Sequence, residues 1–203
     1  MFSRIAAMVA ERLKKPPVEM RTQRLIMRKP RPGDLDVIQR AVGETQRDLR
    51  LWLRWAQEAG NERAVAKRYL RREIEKWRIG HGYSYAAFSI RGVFEHRFAG
   101  LYTLNVGKPE VPSFTLVYWC PASMQGKGYA VEAVTALTRS AFDYFGARRV
   151  QIFCDEQNLK SQQVAVRAGF VREARLKHSE RRPIDGTLRN MLLFARAPYD
   201  GPR

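Results

Sequence analysis

Gln125-Gly126-Lys127-Gly128-Tyr129-Ala130 joins a strand-like run at 114–120 to an amphipathic helical run at 130–145. Two glycines at such a junction let the backbone turn sharply and come close to a ligand. The helix that follows contributes unbonded N–H groups and the positive end of its dipole, which together suit a pyrophosphate. Lys127 adds a mobile positive charge. Taken alone, the six residues fit a plain connecting turn equally well, and their neighbours must decide. A dinucleotide fingerprint is excluded because Val131 stands where its third glycine belongs, and no G-x-x-x-x-G-K-[ST] run occurs.

Upstream of the loop, runs at 84–90, 97–106 and 114–120 read as strands, separated by Arg91-Gly92 and Gly107-Lys108-Pro109. Before them, 22–28 reads as a strand stopped by Pro30 and Pro32. Asp34 then reads as the N-cap of a helix through Leu35, Ile38 and Val42. A second helix is expected at 45–59, with Leu49, Trp52, Leu53 and Trp55, and a third at 62–79, with Ala66, Tyr69, Leu70, Ile74 and Trp77 on its apolar face. The other face of the third carries Arg63, Lys67, Arg68, Arg71, Arg72, Lys76 and Arg78, which is either a polyanion-binding stripe or a solvated helix face. Downstream come the loop's own helix, a strand at 149–154, a short helix at 159–168 and a strand at 188–195. Early helices, an antiparallel meander and an alternation of strand and helix describe a mixed α+β domain.

The length of 203 residues suits one domain, and a hydrophobic content of 45% supplies a core without metal or disulfide staples. Cys120 and Cys154 lie in strand-like apolar runs and are expected as free thiols in a reducing compartment, the cytoplasm; no metal-site spacing occurs. No apolar run approaches the ~20 residues that span a bilayer, so no membrane role is expected. Residues 1–18 read as an N-terminal amphipathic extension ahead of a domain at 19–203. Ile5, Met8, Val9 and Leu13 share a helical face, charges at Arg4, Glu11 and Arg12 argue against a secretory signal, and Pro16-Pro17 end the segment. Thirty-seven Lys and Arg against 20 Asp and Glu give a net charge of +17. That field attracts nucleic acid, a ribosome surface or an acidic protein, and repels polycationic substrates. An arginine-rich composition with no such partner gives the same total.

A second constellation follows the loop. Asn158 fits a helix N-cap, Ser161 sits at the third helical position beside it, and Gly169 suits the C-terminal cap. With these residues in view, the chain resembles the GCN5-related N-acetyltransferases, and within them the RimJ/RimL-type branch. Four segments in order carry the resemblance: Thr22-Gln-Arg-Leu-Ile-Met-Arg28; Trp52-Leu53 followed by Trp55; Tyr118-Trp119-Cys-Pro121 leading into the Gln125–Glu132 loop; and Asn158-x-x-Ser161 ending in Ala168-Gly-Phe170. Together they run from about residue 20 to 197.

The resemblance implies a GNAT fold, with a mixed, mostly antiparallel central sheet and helices on both faces. It also implies acetyl-CoA as co-substrate. Gln125, Gly126, Lys127, Gly128, Tyr129 and Ala130 would hold the pyrophosphate, while the backbone near Trp119 and Cys120 aligns the pantetheine arm and Asn158 contacts it. Ser161 would give a proton to the leaving thiolate, directly or through water. Where many relatives carry a glutamate, three residues before the tyrosine of the Tyr-Trp pair, this chain has Thr115. A hydroxyl is no useful base at neutral pH, and Glu110, His81, His96, Asp155 and Glu156 stand as alternatives. A weak base favours an α-amine, which titrates near about 8, over lysine near about 10.4: roughly a tenth of the former is neutral at pH 7, against well under a thousandth of the latter. The expected acceptor is therefore a protein N-terminus, such as that of a ribosomal protein. The alternatives are a small-molecule or peptide-antibiotic amine, or a non-catalytic RNA- or ribosome-binding module.

Overall fold

In the computed structural model, which describes residues 16–90, 96–107 and 111–198, the strand-like runs pair into one eight-stranded sheet. The strands are β1 (Glu19–Arg21), β2 (Leu25–Arg28), β3 (Gly82–Ser89), β4 (Phe98–Val106), β5 (Ser113–Trp119), β6 (Arg149–Asp155), β7 (Val171–Arg181) and β8 (Leu188–Arg196). Their spatial order is β1-β2-β3-β4-β5-β6-β8-β7. Every neighbouring pair is antiparallel except β5 and β6. Four α-helices accompany them: α1 (Leu35–Trp52), α2 (Glu62–Ile79), α3 (Tyr129–Asp143) and α4 (Leu159–Arg167).

Side-chain alternation on the central strands puts apolar residues on both faces, so both faces must be covered. Phe114 and Leu116 of β5, with Val150, Ile152 and Cys154 of β6, pack with Ala133, Val134 and Leu137 of α3. Trp119 of β5, Leu101 of β4 and Ala86 of β3 belong to the opposite layer, with Ile38 and Leu49 of α1 and Ala66 and Leu70 of α2. The expected sheet with helices on both faces is what these two cores make. Trp55 stacks on Tyr69 with ring centroids 4.0 Å apart, and Trp119 Nε1 donates to the Tyr69 hydroxyl at 3.0 Å.

Three local expectations are corrected. The helices expected around 35–42 and 45–59 are one, α1, because Gly43 continues the helix at a point where a Cβ would lie 2.8 Å from a Glu62 carboxylate oxygen. Leu53 then turns extended and a short 3₁₀ turn, Arg54–Gln57, replaces the rest of the second helix. Asp34 makes no side-chain cap bond to α1. Its buried carboxylate instead accepts from Arg28 at 2.6 and 2.9 Å and from the Arg31 amide at 2.7 Å. The strand expected at 22–28 is confined to β2, and residues 22–24 form the turn of a hairpin whose other arm is β1, with Thr22 N–H donating to Leu25 O at 2.9 Å. Strand β7 was not expected at all. The amphipathic reading of residues 1–15 lies outside the described residues.

Candidate active site

Strands β5 and β6 hold register over three pairs only, Ser113↔Arg149, Phe114↔Val150 and Thr115↔Gln151. Both strands continue beyond, to Trp119 and Asp155, without pairing. Parallel strands that part leave unused N–H and C=O groups along both inner edges. A cavity of about 350 Å³ occupies the opening, with residues 116–120 on one wall and 152–155 on the other. Thr115 sits at the last pair, half-buried, its hydroxyl accepting from Gln151 Nε2 at 3.1 Å.

The loop between β5 and α3 closes one end of the cavity. Gly126 and Gly128 both have left-handed backbones, with φ of +73° and +80°. A side chain there would be strained, and glycine makes the conformation available. Nothing lies within 4 Å of where a Cβ on Gly126 would be, so the backbone itself faces open space. Residue 128 then serves as N-cap of α3, and the amides of the first turn have no partner within the helix.

Arg24 of the β1–β2 hairpin holds this loop in place. Its guanidinium donates to the Lys127 carbonyl at 3.0 Å and to Glu132 at 2.7 Å, and lies over the Tyr129 ring. Glu132 also accepts from the Arg24 amide at 2.8 Å and from the Thr22 hydroxyl at 2.5 Å. Burial by itself would raise the Glu132 carboxyl, but the hydrogen bonds from Thr22 and Arg24 outweigh it and hold the group below its ordinary value. Lys127, expected to be mobile, has its ammonium on the Ser123 carbonyl at 2.8 Å.

Gln125, Gly126, Gly128, Ala130, Trp119, Cys120, Asn158 and Ser161 all border the cavity. Lys127 and Tyr129 do not; Tyr129 is buried beneath Arg24. Asn158 caps α4 as expected, its Oδ1 accepting from Ser161 N–H at 3.1 Å, which leaves its Nδ2 group to donate. The Ser161 hydroxyl lies 3.0 Å from the Tyr118 hydroxyl, and Tyr118 also donates to Ser161 O at 3.1 Å. Burial pushes the Tyr118 phenol well above its ordinary value, so it stays protonated across the neutral range. Burial likewise raises the Cys120 thiol to about 11, with nearby Lys160 opposing the shift and Asp48 adding to it. Lys160 spans the cavity mouth, donating to Gln125 Oε1 at 2.8 Å and to Asp48 at 3.2 Å.

The far end of the cavity is polar and buried. Asp155 accepts from the Gln157 amide at 2.8 Å, while its Oδ2 stands 3.7 Å from Arg189 and 3.9 Å from Arg182. Arg189 in turn donates to Glu180 at 2.6 Å. Asp155 Oδ2, Arg182 Nε and Arg189 Nε are buried without a hydrogen-bond partner among the described residues. Of the alternative bases expected from sequence, Asp155 alone borders this cavity among those described. His81 is exposed after α2, His96 borders a separate hollow with Arg40 and Phe98, and Glu110 lies outside the described residues. Glu156 is held down to about 2 by its hydrogen bonds from Arg175 and Asn190, too acidic for a useful base.

A model of the acetyltransferase (GNAT) domain matches residues 24–171. The chain belongs to the GNAT acetyltransferase family. The ribosomal-protein-serine acetyltransferase of Escherichia coli (strain K12) is 34% identical over 86 residues, which is 42% of this chain and 48% of that protein. The match thus spans about half the length of that relative. Among solved structures, RimL, a ribosomal L7/L12 alpha-N-protein acetyltransferase in complex with coenzyme A, aligns with a TM-score of 0.77 at 23% identity, covering 89% of this chain and 96% of that one. The microcin C7 self-immunity acetyltransferase, in complex with acetyl-CoA and AMP, aligns with a TM-score of 0.78 at 17% identity over 91% and 98%. The last two likenesses establish the shared fold.

The GNAT domain's own features fit acetyl-CoA. The Gly126–Gly128 cradle has room for a pyrophosphate against open amides, and the unpaired edges of β5 and β6 match the amide-rich pantetheine arm. Sequence reading missed Thr22, Arg24 and Lys160 as supports of this site, although Glu132 and Tyr118 stood within the quoted motif.

Proposed function

We propose that the chain is an N-acetyltransferase that moves the acetyl group of acetyl-CoA onto a primary amine by direct attack, and that its acceptor is the N-terminal α-amine of a protein such as a ribosomal protein. The observation that carries this reading is the parting of β5 from β6 directly onto the Gly126–Gly128 cradle. Bound acetyl-CoA supplies an activated thioester. The cradle amides neutralise the pyrophosphate, and the β5 edge from Leu116 to Cys120 aligns the arm by backbone hydrogen bonding. The Tyr118–Ser161 hydroxyl pair delivers a proton to the departing sulfur. Asp155 receives the proton the amine gives up, oriented by Gln157 and by the Arg189 bridge to Glu180.

The relatives named above as ribosomal-protein acetyltransferases support a protein N-terminus as acceptor. The charge of +17 favours an acidic chain over a basic one. On α2, however, Arg63, Arg68, Arg72, Lys76 and Arg78 are each ion-paired with a carboxylate, which weakens that face as a nucleic-acid stripe. We take residues 19–203 as the transferase domain and 1–18 as an extension. Two free thiols and the absence, among described residues, of a helix able to cross a membrane are consistent with a cytoplasmic place.

A thiol-release assay with acetyl-CoA against matched N-terminal peptides, internal-lysine peptides and small amines tests this reading. N-terminal peptides are expected to turn over fastest. Preference for lysine or for small amines would overturn the acceptor, and no release with any amine would overturn the transferase.

A further inference from the structure

Alternation along the strands sorts the site's chemistry onto the two faces of the split sheet. Tyr118 of β5 and Cys154 of β6 point to the side of α3 and α4, where the Tyr118 hydroxyl meets Ser161. Asp155, the next residue after Cys154, points to the other face. Strand register extends that face across β8 to the edge of the sheet. Asp155, Met191 and Leu176 form one cross-strand row, and Phe153, Leu193 and Ala174 form the next. Asp155 is the one polar side chain among these six, and its Oδ2 is buried without a hydrogen-bond partner among the described residues.

A sheet face open to water ordinarily turns polar side chains outward. This one turns apolar side chains outward, and the helices pack elsewhere. α1 packs on β4 and α2 on β3, while α3 and α4, which touch β6 and β7, belong to the opposite core. Phe153 is left 38% and Leu176 37% exposed, and Val117, on the same face of β5, 41%. Val117, Phe153 and Met191 also border the cavity, as do Trp52 and Leu53 at the end of α1. An apolar floor therefore runs from the cavity wall at Asp155 out toward the sheet edge at Leu176. Contiguous apolar surface of this kind marks a place where something binds.

We propose that this floor holds the first residues of the acceptor chain and selects an apolar side chain at its second or third residue. The inference rests on the reading of the acceptor as a protein N-terminus. Continuity of the floor with the cavity, where the amine has to arrive, makes the acceptor its occupant in preference to a second copy of the chain. With the α-amine at Asp155 Oδ2, an extended chain advances about 3.3 Å per residue. Neighbouring strands lie about 4.8 Å apart and alternate residues of one strand about 7 Å, so Met191, Phe153 and Leu176 stand roughly 5–10 Å from the amine. That is the reach of the second and third residues, and because successive side chains alternate, one of the two faces the floor. A leucine there removes apolar surface from water on both partners. A serine gains nothing, since beyond Asp155 these rows offer no hydrogen-bonding side chain.

Thiol release from acetyl-CoA by the whole chain tests the proposal, with three peptides that share one acidic tail and begin Ala-Ser-Ser, Ala-Leu-Ser and Ala-Ser-Leu. One of the two leucine peptides is expected to exceed the all-serine peptide about ten-fold in kcat/KM, mostly through KM. Phe153→Ser and Leu176→Ser should each shrink that ratio by about three-fold or more, with circular dichroism as the check on folding. Both side chains are partly exposed, so at least one of the two variants is expected to keep its fold. Equal kcat/KM for the three peptides, or a ratio that neither substitution moves, would overturn the proposal. Sedimentation tests the rival occupant: a dimer of the unaltered chain that Leu176→Ser dissociates would give the floor to a second copy and overturn the proposal, whereas an oligomeric state the substitution leaves unchanged supports it. Release with small amines alone, or with no amine, would instead remove the acceptor reading itself, and the inference with it.

Discussion

Arg24 and Glu132 stand 108 residues apart in sequence, yet the Arg24 amide and guanidinium both bond the Glu132 carboxylate, at 2.8 and 2.7 Å. The pair fastens the first turn of α3 to the β1–β2 hairpin, and through Lys127 O it fastens the glycine loop as well. Glu132→Gln removes the charge while keeping the shape, and should cost about 2 kcal/mol of stability, read by denaturant unfolding at pH 7. Because the folded carboxyl is held below its ordinary value, its contribution is present above the usual carboxylate range and disappears as pH falls through the folded value. The stability curve of Glu132→Gln should therefore be flatter than that of the unaltered chain on the acid side. Identical acid limbs would show that the pair contributes nothing.

Gly128→Asp should lower acetyl-CoA affinity at least ten-fold by titration calorimetry. It puts a negative charge at the N-cap of α3, on a backbone with φ of +80° and with its Cβ 3.2 Å from the Arg24 guanidinium that holds the loop, so the cradle is both recharged and displaced. Asp tolerates that conformation at a cost of about 1–2 kcal/mol, so the chain should remain folded by circular dichroism. Undiminished binding would remove the loop from the site.

The Tyr118–Ser161 contact at 3.0 Å makes the two hydroxyls one unit. Tyr118→Phe and Ser161→Ala should each lower kcat by about 10²-fold with little change in the KM for acetyl-CoA, and the double variant should lose little more than either alone. Since burial holds the phenol protonated well past its ordinary range, the unaltered enzyme should show no falling limb from Tyr118 below pH 10. Additive losses in the double variant would assign the hydroxyls separate roles.

Cys120 should react slowly with iodoacetamide at pH 7.5. With its thiol raised to about 11 by burial, the thiolate fraction falls roughly 100-fold below that of an unperturbed cysteine. Saturating coenzyme A should slow the reaction further, because the residue borders the cavity. Alkylation at the rate of a free thiol, measured by mass spectrometry, would contradict both statements.

Asp155→Asn retains the oxygen that accepts from Gln157 but removes the charge facing Arg182 and Arg189. The expected result is a fall of about 10²-fold in kcat/KM for the amine, with acetyl-CoA affinity unchanged. The variant should also lose about 3 kcal/mol of stability through the uncompensated buried guanidinia. A full rate would leave Asp155 a purely structural role.

Most of the sheet could be read from the chain because its central strands carry their own signature. The runs ending at Ser89, Val106, Trp119 and Asp155 are apolar on both faces and bounded by turn residues. β7 lacked that signature: Val171-Arg-Glu-Ala-Arg-Leu-Lys-His-Ser-Glu-Arg181 is charged and exposed along nearly its whole length. It is a strand because β8 pairs with it, through two irregularities in register, as the outer edge of the sheet. The unbroken α1 left no such trace either: Gly43 sits inside it, where a Cβ would lie 2.8 Å from a Glu62 carboxylate oxygen.

The site divides along the same line. Local chemistry determined the left-handed glycines ahead of a helix, the Asn158 cap over Ser161 and the family to which these motifs belong, since each depends on residues within a few positions of one another. Which groups share the cavity was a matter of tertiary structure. Parting of β5 and β6 brings Tyr118 to Ser161 and puts Asp155 on the cavity wall, while hairpin β1–β2 delivers Arg24 to the loop and α4 carries Lys160 and Arg167 to the wall. Such contacts arise from sheet register and helix packing, which join residues tens to more than a hundred positions apart and leave no periodic trace in the chain.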